Sequence, residues 1–133
     1  MAYNTKVLFV CSGNTCRSPM AQVIFQNLCR RHHRTGVLVR SAGFQADVGA
    51  GMSPEALNAL QTYGEKLPAK PHRARQFTAR MQRDYHYVVD LRHYPDPYGQ
   101  GQTAYDYLCC LLQQEMQELY HQIFDCRSGV GGV

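Results

Sequence analysis

The residues best suited to chemistry in this chain are Cys11 and Arg17, which lie six positions apart. A thiolate attacks phosphorus when backbone N–H groups and a guanidinium fork hold the phosphoryl group in front of it. Gly13 and Asn14, between the two, tolerate the positive φ that turns N–H groups inward around an anion. Ser18 follows and can hydrogen-bond the thiolate. The stretch therefore predicts a phosphate-binding loop with a nucleophilic cysteine.

A strand and a helix must position this loop. Val7–Val10 is an unbroken apolar run, typical of a strand buried on both faces in a parallel sheet, so Cys11 stands at its carboxyl end. Ser18-Pro19 is read as a cap followed by proline, and apolar residues at helical spacing predict a helix over about 18–32. The positive end of that helix favours both a bound phosphate and the thiolate of Cys11.

The second strand, 37–40, leads into Ser41-Ala42-Gly43 and implies a right-handed parallel crossover. Strand ends face one crevice in such a sheet, so the Ser41 hydroxyl either braces Asn14 or is an ordinary turn serine. Phe44 forms a wall of the substrate cleft or plugs the sheet end. Further along we predict a helix over 53–64, a connector over 67–77, a helical turn over 78–83, a third strand over 85–91 and a long helix from residue 103.

A phosphoryl transfer also needs a carboxylic acid that protonates the leaving group, and Asp96 is the best placed. It lies just beyond the third strand, between Pro95 and Pro97, where the backbone is stiff. Its alternative role is that of a turn-forming Asp-Pro. Turnover therefore depends on how the short connection after the third strand delivers this side chain.

Length and composition restrict the class of protein. At 133 residues, we expect a single domain over 1–133 with a disordered tail at 128–133. The net charge of +4 is modest, and the basic run 30–34 suits a helix C-terminus better than a nucleic-acid patch. We expect no nucleic-acid partner, no membrane association and no leader segment. A free thiolate at Cys11 then favours the reducing cytoplasm.

Six cysteines are present without the spacing of a zinc site, so we expect neither a metal nor a cofactor. Cys16 lies close enough in sequence to Cys11 for a reversible disulfide, or it is a small buried loop residue. Cys29, Cys109 and Cys110 fall within helical patterns as small hydrophobes.

Four segments, in order, resemble the low-molecular-weight protein tyrosine phosphatases: Cys11–Pro19, Ser41–Gly43, His72–Arg75 and Asp96–Gly99. The resemblance implies a flavodoxin-like α/β fold, a doubly wound parallel sheet of three to four strands with helices on both faces. It implies a two-step, metal-free reaction with Cys11 as nucleophile, Arg17 as phosphate ligand and Asp96 as general acid. It also implies a phosphate ion or substrate held by Ser12, Gly13, Asn14, Thr15, Cys16, Ser18, Phe44 and Tyr98, with Asn14, Ser41 and His72 supporting the loop.

Two departures from the family pattern affect fold and selectivity. Only residues 92–95 stand where members of the family carry a further helix and strand, so the third strand becomes an open edge. We therefore expect either a homodimer through this edge or a terminal helix that shields it. Thr15 resembles the protein-arginine phosphatases of the same family, whereas Tyr98 and the His72–Arg75 segment resemble the tyrosine-selective branch.

The first interpretation is a cysteine-dependent protein tyrosine phosphatase that hydrolyses phosphorylated proteins or small phosphomonoesters. A protein-arginine phosphatase is the second. A thiol-dependent arsenate reductase and a non-catalytic phosphate-binding module are the remaining alternatives.

Overall fold

Strands and helices alternate along the chain in this computed structural model, which describes residues 3–125. The elements are β1 (Thr5–Cys11), α1 (Arg17–Arg31), β2 (Val37–Gly43), α2 (Pro54–Thr62), α3 (Ala79–Asp84), β3 (Tyr87–Asp90) and α4 (Gln102–Phe124). Each predicted helix and strand is present. The predicted tail at 128–133 lies outside the described residues.

The three strands form one parallel sheet with β1 in the centre, in the order β2-β1-β3. The apolar run Val7–Val10 has no exposed surface, which confirms the prediction of a strand buried on both faces. Cys11 pairs with Gly43 and Val10 with Asp90, so all three strands end at the same edge of the sheet. The loop after β1 therefore opens into the crevice at this edge.

Helices cover the two faces of the sheet unequally. On one face of the sheet, α1 packs against β1, β2 and α4, and α2 packs against α4. This face holds the large core, which includes Phe9, Phe25, Leu60, Leu112 and Met116. On the other face, Leu8, Val10 and Ala42 are covered by a thinner layer that includes Phe44, Phe77 and Met81 of α3. The predicted doubly wound α/β architecture is confirmed, with three strands in the described residues.

Several element boundaries differ from the predictions, among them the starts of α1 and β3, the end of β2 and the bounds of α2. Helix α1 begins at Arg17, and Ser18 lies inside its first turn instead of capping it, because its hydroxyl is bonded to the Cys11 sulfur. Strand β3 begins at Tyr87 because Tyr85 is the C-cap of α3, with its backbone N–H bonded to the Met81 carbonyl oxygen. Ser53 does precede α2, with Pro54 in the first turn, but its hydroxyl bonds to Cys16 instead of capping the helix.

Strand β3 is an edge strand, as expected. Its end residues Tyr87 and Asp90 are exposed. The terminal helix α4 packs against α1 and α2, so the expectation that this helix shields the β3 edge was wrong. Within residues 3–125, no helix is both long enough and apolar enough to cross a membrane.

Candidate active site

A pocket of about 220 Å³ lies at the carboxyl edge of the sheet, above the end of β1. Its lining residues are Cys11, Gly13, Thr15, Cys16, Arg17, Asp96 and Tyr98. Three larger cavities occur in residues 3–125, and one of them also borders Asp96. Of these four, only the 220 Å³ pocket joins the cysteine, the arginine and the carboxylate that the sequence analysis selected. The loop and the Asp96 turn, far apart in sequence, thus form one site.

The Cys11 sulfur is buried and held by Ser18. The Ser18 hydroxyl lies 2.9 Å from Cys11 Sγ, and the Ser18 backbone N–H donates to the same sulfur at 3.4 Å. Ser18 Oγ also accepts from Asn14 Nδ2 at 2.8 Å, and its one proton can go to the Cys11 sulfur at 2.9 Å or to the Ala42 carbonyl oxygen at 3.4 Å, of which the sulfur is the nearer. Two donors at the N-terminus of α1 therefore stabilise negative charge on Cys11.

Asn14 organises the loop from below the pocket. It is fully buried and adopts a φ of 59°, a left-handed conformation that asparagine tolerates better than most residues. Gly13, which was expected to share this conformation, has no positive φ. The Asn14 side-chain amide donates to Ser41 Oγ at 2.9 Å, which is the brace predicted for Ser41, and Asn14 Oδ1 accepts from the backbone N–H of Arg75 at 2.9 Å.

His72 completes the support of the loop. Its Nε2 donates to the Asn14 carbonyl oxygen at 2.7 Å, so this nitrogen carries the proton. Burial lowers the pKa of His72 below the usual 6.5, the bond to Asn14 acts in the opposite direction, and the charge of Arg75 lowers it further. The segment 72–75 lies in the predicted connector and contains His72, which the family resemblance implied as a support of the loop. It holds the loop by this side chain and by the backbone of Arg75.

Gly43 was quoted in a sequence motif but given no role, and the structure supplies one. A Cβ atom at this position would lie 2.6 Å from the carbonyl oxygen of Ser12 and 3.0 Å from the backbone nitrogen of Asn14. Only glycine lets the end of β2 approach the loop this closely. The sequence did contain a signal for this role: Gly43 follows a strand that was predicted to end beside the loop.

Arg17 is buried and joins three parts of the site. Its Nη2 donates to Ser12 Oγ at 3.4 Å and lies 3.7 Å from Asp96 Oδ2. Its Nη1 donates to the carbonyl oxygens of Arg92 and Tyr94, at 3.2 and 3.0 Å. Arg17 Nε is buried and has no hydrogen-bond partner among the described residues. One edge of the guanidinium therefore fastens the connection after β3, and the other faces the site.

The short connection from β3 to Asp96 is also held from α4. Tyr94 donates its phenol hydrogen to Glu115 Oε1 at 2.8 Å, and burial together with this carboxylate raises the pKa of Tyr94 to about 12. Arg92 pairs with Asp90 at 2.8 Å and lies over the Phe44 ring at 3.8 Å. These contacts direct the chain toward the loop within the four residues 92–95. No local sequence pattern indicated them.

Asp96 and Tyr98 form the outer wall of the pocket. The Asp96 side chain is 53% exposed, so solvent reaches the carboxylate. Its Oδ1 accepts from the Tyr98 backbone N–H at 3.2 Å, and its Oδ2 faces Arg17. The Tyr98 ring is 73% exposed beside the pocket, where it can contact a bound substrate.

Thr15 and Cys16 line the pocket on the loop side. The Cys16 sulfur lies 3.1 Å from Ser53 Oγ and 3.3 Å from the Tyr105 hydroxyl. Burial and the bond to Cys16 raise the pKa of Tyr105 to about 12. Cys11 and Cys16 are both free thiols here, and Cys16 belongs to a hydrogen-bonded group that sequence spacing did not reveal.

The other predicted substrate contacts lie away from the pocket lining. Ser12 meets the guanidinium of Arg17, while Asn14 and Ser18 support the loop from beneath. Phe44 packs edge-on against Phe77 at 5.1 Å between ring centres. Phe44 also packs against the cluster of Leu8, Val10 and Ala42 on the second face of the sheet, and it does not line the 220 Å³ pocket.

Comparison of this sequence with known protein families identifies the family of the chain. The sequence model of the low molecular weight phosphotyrosine protein phosphatases matches residues 6–94. The chain belongs to this family. Asp96 and Tyr98 lie just beyond the matched range, so their assignment depends on the geometry above. Groups of three or more potential metal ligands are absent from residues 3–125.

Individual proteins that are similar to this chain support the same family assignment. The protein is 29% identical to the low molecular weight protein-tyrosine-phosphatase Wzb of Salmonella typhi, over 85% of this chain and 90% of Wzb. It is 37% identical to a protein-arginine-phosphatase of Bacillus subtilis, over 65% of this chain and 55% of that protein. The solved low molecular weight protein tyrosine phosphatase from T. tengcongensis superposes with a TM-score of 0.78 at 26% identity, covering 90% of this chain and 99% of that one.

Proposed function

We propose that this protein is a cysteine-dependent protein tyrosine phosphatase that acts through a phosphocysteine intermediate. The observation that carries the proposal is the single pocket that unites Cys11, Arg17 and Asp96. In the first step Cys11 Sγ attacks phosphorus, the S–P bond forms, and the P–O bond to the substrate breaks. In the second step water attacks phosphorus, the S–P bond breaks, and inorganic phosphate leaves as the thiolate returns.

Arg17 is arranged to bind the phosphoryl group through one edge of its guanidinium. Nη1 is engaged by backbone carbonyls, whereas Nε has no partner in the described part of the chain and Nη2 faces the pocket. Nε and Nη2 can donate in parallel to two phosphoryl oxygens. The backbone N–H groups of the loop and the N-terminus of α1 add further positive potential for the charge of the transition state.

Asp96 serves both steps as the proton carrier. Its Oδ1 is occupied by the Tyr98 N–H, so Oδ2 is the oxygen that exchanges the proton. The protonated carboxyl gives its proton to the leaving oxygen of the substrate, and the resulting carboxylate takes a proton from the attacking water. Ser18 stabilises the thiolate when it leaves phosphorus, through its hydroxyl at 2.9 Å.

Kinetics on an aryl phosphate and on phosphotyrosine test this mechanism. We expect Cys11→Ser to abolish turnover, whereas Cys110→Ser, at an exposed cysteine of α4, retains it. Asp96→Asn should lower kcat by about 10²- to 10⁴-fold and still bind phosphate. The matched control is Asp47→Asn on an exposed loop. Turnover by Cys11→Ser at the wild-type rate would contradict the mechanism.

A protein-arginine phosphatase is the second candidate, and Thr15 favours it. Thr15 lines the pocket, where its hydroxyl can meet a phosphorylated guanidinium, while Tyr98 on the opposite side suits an aromatic ring. The experiment is a competition between phosphotyrosine and phosphoarginine, repeated with Thr15→Ile. If threonine sets selectivity, Thr15→Ile shifts the ratio of kcat/KM toward phosphotyrosine. An unchanged ratio would remove Thr15 as the determinant.

The remaining alternatives have less support from the geometry. A thiol-dependent arsenate reductase needs resolving cysteines that reach Cys11. Cys109 is buried in α4, and burial raises its pKa to about 12, while burial raises the pKa of Cys29 to about 11. The two cysteines considered for that role, Cys109 and Cys110, both lie within α4, a regular helix of 23 residues and not a mobile segment beside Cys11. A non-catalytic phosphate-binding module would gain nothing from the carboxylate of Asp96 in the pocket lining, because a negative charge there repels a bound phosphate.

We also assign this enzyme to the cytoplasm, where a reducing environment preserves the Cys11 thiolate. The β3 edge further suggests a homodimer, because unpaired strand groups there can pair with a second copy. Sedimentation velocity of wild type and of Val88→Pro tests this pairing, since proline at an edge removes a donor. A monomer at all concentrations would contradict the homodimer.

A further inference from the structure

A second concave site lies between α1, the end of β2 and the segment 68–75. Its volume is about 600 Å³, within the range of small-molecule sites. It shares no lining residue with the catalytic pocket. Four cationic side chains line it, namely Arg40, Lys70, Arg73 and Arg75.

The positive charge of this cavity is not compensated locally. Its lining contains no aspartate or glutamate. In the described part of the chain, Lys70, Arg73 and Arg75 take part in no ion pair, and Arg40 Nη1 donates to the carbonyl oxygen of Val39 at 3.1 Å. Like charges gathered around a concave, partly dry surface raise the local concentration of anions.

Uncharged groups complete the cavity. Apolar surface is supplied by Pro19, Val23, Met52, Pro68 and Pro71, and amide groups by Gln22 and Gln26. An apolar ring or chain can lie on the first group while the cations hold negative charges. We propose that this cavity binds a soluble small organic phosphate that carries at least two negative charges.

The same segment links this cavity to the catalytic loop. His72 and Ser41 line the cavity, and both hydrogen-bond Asn14. The backbone N–H of Arg75 bonds to Asn14 as well. A ligand held by Lys70 and Arg73 therefore orders the segment that keeps Asn14 in its left-handed conformation.

Calorimetric titration with adenosine diphosphate and with inorganic pyrophosphate tests the proposal. We expect one equivalent of adenosine diphosphate to bind in this cavity, beyond any phosphoryl binding in the catalytic pocket that Arg17→Met removes, and pyrophosphate to bind the cavity more weakly because it lacks the apolar part. Lys70→Gln/Arg73→Gln should weaken binding at least about tenfold, since two charge-assisted contacts are lost. The control Arg31→Gln/Arg83→Gln removes the same charge at exposed positions that do not line the cavity and should change the affinity less than about threefold.

A third variant separates this site from the catalytic pocket. Arg17→Met removes the phosphate ligand there, so continued binding of adenosine diphosphate supports the second site. Loss of binding in Arg17→Met with retention in Lys70→Gln/Arg73→Gln would overturn it. If Arg17→Met does not fold, the two charge-matched variants decide alone.

Other outcomes are equally decisive. Equal weakening in both double variants would indicate general charge attraction, and equal affinity for pyrophosphate would refute the apolar contact. Binding only to an acidic peptide, or only to vesicles that contain phosphoinositide, would assign the cavity to a different partner. Because binding is measured without turnover, a failure here leaves the proposed phosphatase mechanism untouched.

Discussion

Gly43→Ala tests the close approach between β2 and the catalytic loop. The new Cβ would lie 2.6 Å from the Ser12 carbonyl oxygen, about 0.8 Å short of the 3.4 Å at which ordinary contact begins. It would also lie 3.0 Å from the Asn14 nitrogen, so the obstacle is backbone that cannot rotate away. Either β2 or the loop must move by several tenths of an ångström.

The magnitude follows from this overlap. Overpacking of this kind costs about 1–3 kcal/mol of unfolding free energy. A displacement of about 1 Å in a catalytic group can cost about 10²-fold in rate, so we expect kcat/KM to fall by about 10- to 100-fold. Urea unfolding and turnover of an aryl phosphate measure the two effects.

Gly51→Ala is the matched control. Its Cβ would meet nothing within 4 Å, and Gly51 has no positive φ. We expect its stability to stay within about 0.5 kcal/mol of wild type, with unchanged turnover. Wild-type activity and stability in Gly43→Ala would refute the claim that glycine is required beside the loop.

Three other changes probe the supports of the site. His72→Gln keeps a donor to the Asn14 carbonyl oxygen but removes a titrating group. Because burial lowers the pKa of His72, the stability of the wild type should fall as the pH drops below about 6.5 toward the lowered pKa. The urea midpoint should depend less on pH in the variant than in the wild type over this range. Tyr94→Phe removes the hydrogen bond to Glu115 and should lower the free energy of unfolding by about 1–2 kcal/mol, measured by thermal unfolding. The control is Glu118→Gln, at an exposed position of α4. An unchanged midpoint in Tyr94→Phe would show that this bond does not stabilise the fold. Arg17→Lys should lower phosphate affinity measured by calorimetry, since an ammonium group cannot donate bidentately and cannot hold the Tyr94 carbonyl at the same time; wild-type affinity would contradict the assigned role.

Much of the fold was predictable because its signals are local. The apolar run before Cys11 and the spacing of apolar residues in α1 and α4 each reflect burial of a single element. The order of strand, helix and strand then restricts the handedness of the connection. The Asn14–Ser41 bond was also foreseeable, because strand ends of a parallel sheet meet at one edge.

What escaped prediction depends on contacts between distant segments. Ser18 was predicted both to cap the helix and to hydrogen-bond the Cys11 thiolate; the hydroxyl bonds to the sulfur, and the cap prediction was wrong because local sequence cannot tell which of the two contacts takes the side chain. Nothing near Tyr94 in the sequence indicates that Arg17 and Glu115 hold it. Residues 92–95 contain no helix or strand, so the position of Asp96 depends on the hydrogen bonds that Tyr94 makes with Arg17 and Glu115.

The phosphocysteine is the central claim, and one measurement tests it directly. Asp96→Asn is mixed with p-nitrophenyl phosphate, whose leaving group departs without a proton, then quenched in denaturant for mass spectrometry. Since Asp96 is also needed to activate water, the intermediate should accumulate. We predict a burst of one nitrophenol per enzyme and a phosphoryl group on Cys11. Phosphate released together with nitrophenol, with Cys11 unmodified throughout, would contradict the account.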